Sequence, residues 1–124
     1  MPFIANTDAP SFSMHGASFI GLASPSRGAT ENSVWIVTLH VDAAAVTHRL
    51  SREETFVGIG GRALAQVGNE TFEITEGSAL VVPANTDFKL TNPDVTPFRA
   101  VAVLPVGGKA TIADGQPFTP PWAQ

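Results

Sequence analysis

Hydrophobic and polar residues alternate along this chain in short runs. In Arg62-Ala63-Leu64-Ala65-Gln66-Val67 the polar residues fall at 62 and 66, and in Glu70-Thr71-Phe72-Glu73-Ile74-Thr75 the large apolar ones fall at 72 and 74. A period of two marks a strand with one buried face. Gly68-Asn69, between these two runs, predicts a two-residue hairpin turn. Similar runs rich in Val, Phe, Ile, Leu and Thr predict strands over 18–23, 34–41, 55–59, 61–67, 70–75, 78–82, 88–91 and 98–104. No window holds an apolar period near 3.6, so no long helix is expected. Eleven Gly and ten Pro punctuate the chain every few residues. Many short strands without a helix to cover them must close or stack their edges, which predicts an all-β barrel or two-sheet jelly roll. Residues 24–32 read as a loop. The tail over 107–124 carries Phe118 and Trp122 among its prolines, and these aromatics are expected to pack across the barrel or onto a second subunit.

Composition narrows the function. A length of 124 residues fits one domain. Seven Lys and Arg against eleven Asp and Glu leave a net charge of -4, which offers no basic footprint for a nucleic acid. The chain has no apolar run long enough for a membrane span, and its opening residues, Met1 to Asn6, lack the basic-then-apolar pattern of a leader, so a soluble, cytoplasmic protein is expected. With no cysteine, any chemistry must use His, carboxylates, hydroxyls or a bound ligand.

Two segments carry a recognisable frame. Asp42, His48, Leu50, Glu54 and Gly61 fall at the spacings of the pattern G-x5-H-x-H-x3-E-x6-G, and Gly77, Pro83, Asn85, Phe88 and Asn92 at those of G-x5-P-x-G-x2-H-x3-N, with fifteen residues between. The chain thus resembles the cupin superfamily over about residues 34–104. The resemblance implies a cupin-type β-barrel, or double-stranded jelly roll, as a single domain over 1–124. In it, an N-terminal strand and loop (1–33) and a Pro-rich tail (105–124) flank the conserved barrel (34–104). It also implies a homodimer, and an active centre inside the barrel. The family's metal ligands would stand at His48, Leu50, Glu54 and Phe88. Two of these four are apolar, so a tight metal site is not expected and no cofactor is assigned, although weak metal binding at His48 and Glu54 stays open. His15 and His40 are the only other histidines that could add a ligand, and strand parity turns His40 away from the barrel.

Parity from these anchored positions places Trp35, Val37, Leu39, His48, Leu50, Glu54, Phe56, Gly58, Phe88, Leu90, Ala100, Ala102 and Leu104 inside. Such an apolar pocket suits a small apolar or aromatic metabolite, contacted by Trp35, Val37, Leu39, Leu50, Phe56, Phe88, Leu90, Ala100 and Ala102. His48 and Glu54, its only ionisable occupants, are expected to converge within hydrogen-bond or shared-water reach and to titrate as a unit. They read as a catalytic acid–base dyad for isomerase, lyase or cyclase chemistry without a metal. A satisfied polar contact without catalysis, a non-catalytic small-molecule binder and a metal-dependent dioxygenase are the competing readings. Arg49, Arg52 and Glu53 are expected at the rim, Lys89 and Arg99 outside, Asn85 in a turn with positive φ, and Gly58 and Gly60 where something approaches the backbone closely.

Overall fold

The computed structural model describes residues 2–124; Met1, the first residue of the segment read for a leader, lies outside them. Eleven strands form: β1 (Ser11–Met14), β2 (Ala17–Ala23), β3 (Asn32–Leu39), β4 (His48–Leu50), β5 (Glu54–Gly60), β6 (Ala63–Val67), β7 (Glu70–Ile74), β8 (Ala79–Val82), β9 (Phe88–Thr91), β10 (Phe98–Pro105) and β11 (Ala110–Ile112). They make two antiparallel sheets, ordered β1-β2-β3-β10-β5-β8 and β11-β4-β9-β6-β7, stacked as a jelly roll. No helix among the described residues is long and apolar enough to cross a membrane.

Alternation decides what each strand buries. Along β3 every second residue is inside, from Ser33 through Trp35 and Val37 to Leu39, and along β10 Phe98, Ala100, Ala102 and Leu104 are. The Gly68-Asn69 turn joins β6 to β7 with Val67 opposite Glu70, as the sequence predicts. The strand expected from Gly61 starts at Ala63, because Gly61 takes φ +68° and a β-carbon there would sit 2.4 Å from the Pro97 carbonyl oxygen. Phe72 has the inward parity its run implied but stays 41% exposed, since β7 is the last strand of its sheet and nothing covers it. Of the two glycines expected to sit under a close neighbour, only Gly58 does. Its missing β-carbon would lie 2.3 Å from the Thr75 carbonyl oxygen, whereas Gly60 faces open space apart from Arg99.

Three strands escape the sequence pattern. β4 and β11 have three residues each, too short to show a period. β1 pairs with β2 through a turn at His15-Gly16, both with positive φ. The tail resolves one way: it packs on its own barrel. The Trp122 ring stacks on Phe19 with centroids 3.6 Å apart and planes 1° from parallel, and meets Phe12 and Trp35 at 6.4 Å. Ser33 Oγ donates to the Ala123 carbonyl at 2.8 Å, Arg27 Nη2 to that of Trp122, and Ser24 and Ser26 hydroxyls to that of Gln124. These bonds satisfy Ser24 and Ser33, both buried.

Part of the outer face of the six-stranded sheet is apolar as well. Cross-strand register aligns Ile20, Ile36, Val101, Val57 and Ala79 in one row, and Val34, Val103, Thr55 and Val81 in the next. Neither row contains a charge.

Candidate active site

The space between the sheets opens into a cavity of about 130 Å³. The six-stranded sheet gives it Trp35, Val37, Leu39, Glu54 and Phe56; the five-stranded sheet gives His48, Leu50, Phe88 and Leu90. Seven of the nine residues expected to contact a ligand therefore line it. Ala100 and Ala102 do not. They are wholly buried but lie beneath it: Ala102 pairs with Trp35 on one side and Phe56 on the other, and rings overtop a methyl group.

β4 presents His48 and Leu50 inward and Arg49 outward, where the guanidinium reaches Asp87 at 3.6 Å. His48 lies opposite Phe88 in the β4–β9 pair, ring centroids 4.3 Å apart. Its Nδ1 is 2.9 Å from the Val46 carbonyl oxygen. A carbonyl only accepts, so Nδ1 carries the hydrogen and, in the neutral ring, Nε2 keeps a free lone pair. Burial pushes the imidazole below its ordinary pKa, against the opposing pull of the Val46 carbonyl and the Asp87 charge, so the ring is neutral at pH 7.

Glu54 opens β5 opposite Val82 and is buried. Its Oε1 has no hydrogen-bond partner, and desolvation alone raises its pKa to about 8. The two groups share the cavity without touching: neither a hydrogen bond nor an ion pair between them occurs among the described residues. Of the two contacts expected of this pair, the direct hydrogen bond is not formed. The residues come from opposite sheets, His48 from β4 and Glu54 from β5. Neither contributes to the other's shift, because Glu54 is uncharged at the pH where His48 titrates. What remains is a proton acceptor and a proton donor lining the same cavity.

Sequence reading put the tail aromatics across the barrel, as one of two alternatives, and missed the rest of the mouth. His15, exposed at the tip of the β1–β2 turn, lines the cavity, with Ala44 and Val46 from the 40–47 loop and Phe118, Pro120 and Trp122 from the tail. The Ala44 N–H donates to the His15 carbonyl and holds turn and loop together. The apolar positions 12, 14, 17 and 19 around His15-Gly16 were the signal available for that hairpin. His40 points outward, its Nε2 3.1 Å from Ser18 Oγ. Asn85 takes φ +58°, as expected of a turn residue.

Residues 35–104 match the Cupin domain family. The chain is a cupin. No curated protein matches it in sequence. Among solved structures, the polyketide cyclase RemF from Streptomyces resistomycificus superposes with a TM-score of 0.75 at 15% identity, covering 85% of this chain and 79% of that one. A cupin sugar phosphate isomerase from Silicibacter pomeroyi gives 0.67 at 18%, covering 81% and 67%. A salicylate 1,2-dioxygenase variant from Pseudoaminobacter salicylatoxidans, in complex with gentisate, gives 0.70 at 18%, covering 86% of this chain but 31% of its own. At these identities the likeness is one of fold.

The family's metal does not fit this cupin's cavity. Of the four ligand places the resemblance implies, Leu50 and Phe88 hold no donor atom, which leaves one imidazole nitrogen and one carboxyl. Among the described residues no three His, Asp or Glu side chains come together as ligands.

Proposed function

We propose that this cupin is an enzyme of acid–base chemistry on a small, largely apolar carbonyl compound, of isomerase, lyase or cyclase type. The observation that carries this reading is the pairing of a free imidazole lone pair with a protonated, unpartnered carboxyl on opposite walls of one apolar cavity. His48 Nε2 takes a proton from carbon beside the carbonyl while the Glu54 carboxyl gives its proton to the carbonyl oxygen. The product is an enol, with an imidazolium and a carboxylate left on the protein. With a β,γ-unsaturated substrate, His48 returns its proton at the γ carbon while the Glu54 carboxylate takes back the enol proton, which moves the double bond; with a leaving group on the β carbon, that group departs with the proton from His48 as Glu54 takes back the enol proton, which completes an elimination.

Deuterium exchange tests it directly. Small ketones incubated with the protein in D2O should gain deuterium beside the carbonyl, and His48→Ala should slow that gain by about a hundredfold to ten-thousandfold. An unchanged rate in His48→Ala, or no exchange with the parent protein, would leave a binding protein in its place.

The outer sheet face supports association of two copies. Two copies packed through the rows around Val57 and Val101 would cover uncharged surface that is otherwise wet, Val57 being 36% and Val81 52% exposed. Light scattering should give a dimer for the parent and a monomer for Val57→Glu, with the circular dichroism of both alike. A parent monomer at every concentration refutes the interface.

A further inference from the structure

The polarity of the cavity says what charge its occupant can carry. None of the residues lining it is Arg or Lys. Three cations adjacent to lining residues in sequence or by hydrogen bond have partners of their own: Arg27 the Leu22 and Trp122 carbonyls, Arg49 Asp87 and the Ala113 carbonyl, Lys109 the Thr119 hydroxyl. Two polar groups remain deep inside. Glu54 Oε1 is buried without a partner, and the neutral His48 offers a lone pair at Nε2 rather than a second N–H. An anion placed between them would meet one donor, one acceptor and walls that are otherwise apolar except for His15 at the mouth, and would lose its hydration without a fixed countercharge.

We infer that the site takes an uncharged, flat carbonyl compound of about one ring and rejects carboxylates and phosphates of the same size. The inference rests on the acid–base reading for its two polar groups but does not require turnover. The ring finds stacking surfaces in Phe56 and Phe88, whose centroids lie 5.9 Å apart, and the carbonyl oxygen accepts from Glu54. Size follows from volume: the cavity's roughly 130 Å³ is close to the engineered apolar cavity of about 150 Å³ that holds benzene. Three relatives by fold are named for anionic compounds or act beside one, a sugar phosphate isomerase, an oxalate decarboxylase with formate and a dioxygenase with gentisate, so the exclusion sets this cavity apart from theirs in ligand charge.

The titratable groups facing Glu54 are His48 from β4 and His15 from the β1–β2 turn. The inner faces of β3, β8, β9 and β10 and the tail present apolar side chains, apart from the small hydroxyl of Ser33, which is bonded to the tail. Binding of a neutral carbonyl should therefore follow the Glu54 proton.

Both tryptophans of the chain, Trp35 and Trp122, line the cavity, so intrinsic fluorescence reports occupancy. The probes are acetophenone and benzoate, matched in size and differing in charge. Near pH 6.5, acetophenone should bind at least about tenfold more tightly than benzoate. Near pH 9.5, beyond the titration of Glu54 at about 8, its advantage over its own affinity at pH 6.5 should be lost by at least about fivefold. In Glu54→Gln, which keeps a donor, acetophenone should bind with no such pH dependence. Equal or tighter binding of benzoate, pH-independent binding of acetophenone by the parent, or no binding of acetophenone overturns the inference. Selective acetophenone binding without deuterium exchange in any ketone would defeat the acid–base reading alone; exchange together with a preference for benzoate would defeat the ligand class alone.

Discussion

Replacing Glu54 with Gln makes the fold more stable at neutral and alkaline pH and flattens the pH dependence of its stability. The buried carboxyl has no partner and titrates at about 8, against 4.5 for the ordinary group. Between those values the native state keeps a proton that the unfolded chain has released. Stability then falls as pH rises, because the native state binds more protons than the unfolded one, by at most about 1.4 kcal/mol per pH unit. His48 works the other way: its pKa is lowered, so below its ordinary 6.5 the unfolded chain binds the extra proton and stability rises with pH. The two slopes oppose each other below 6.5, and only the Glu54 slope is left from there to about 8. Asp94, held down by its two hydrogen bonds from Arg62, acts on the acid side of this window. Urea midpoints across the pH range should therefore drop for the parent above pH 6.5 and level off beyond about 8. Those of Glu54→Gln should stay flat and lie above the parent's from neutral pH upward. A parent that is flat over that interval would mean that Glu54 is already ionised and that the proposed proton donor does not exist.

The same residue shows how far the sequence could be read. Motif spacing put His48, Leu50, Glu54 and Phe88 around one cavity because the strands between them have fixed parity, and a one-residue slip would have turned each of them outward. Spacing along a chain does not say which sheet a strand joins. That Glu54 rises from the six-stranded sheet and His48 from the five-stranded one is a property of the crossovers, so the two line one cavity from opposite sheets, with no hydrogen bond between them. β4 is legible only through its motif, since a three-residue strand has no period. β11 and the tail had only composition to announce them, and burial of Phe118 and Trp122 depended on what the barrel left uncovered.

Trp122→Ala is expected to cost about 3–5 kcal/mol of stability, the range for removing a buried Trp. The ring is 8% exposed, stacked on Phe19 and edge-on to Trp35. The bonds that hold the tail are its backbone carbonyls accepting from Ser24, Ser26, Arg27 and Ser33, so none is removed by truncating the side chain. Each is worth only about 1 kcal/mol and does not replace the lost apolar contact. Trp122 and Pro120 also wall the cavity, so the truncated protein should bind an apolar fluorescent dye that the parent excludes. Urea unfolding measures the first effect and dye titration the second. Phe118→Ala separates the two, because Phe118 lines the same wall but is only half-buried, and its Ala110 backbone bridge persists. It should admit dye with a smaller loss of stability. A Trp122→Ala protein as stable as its parent would mean that the tail rests on the barrel without closing it.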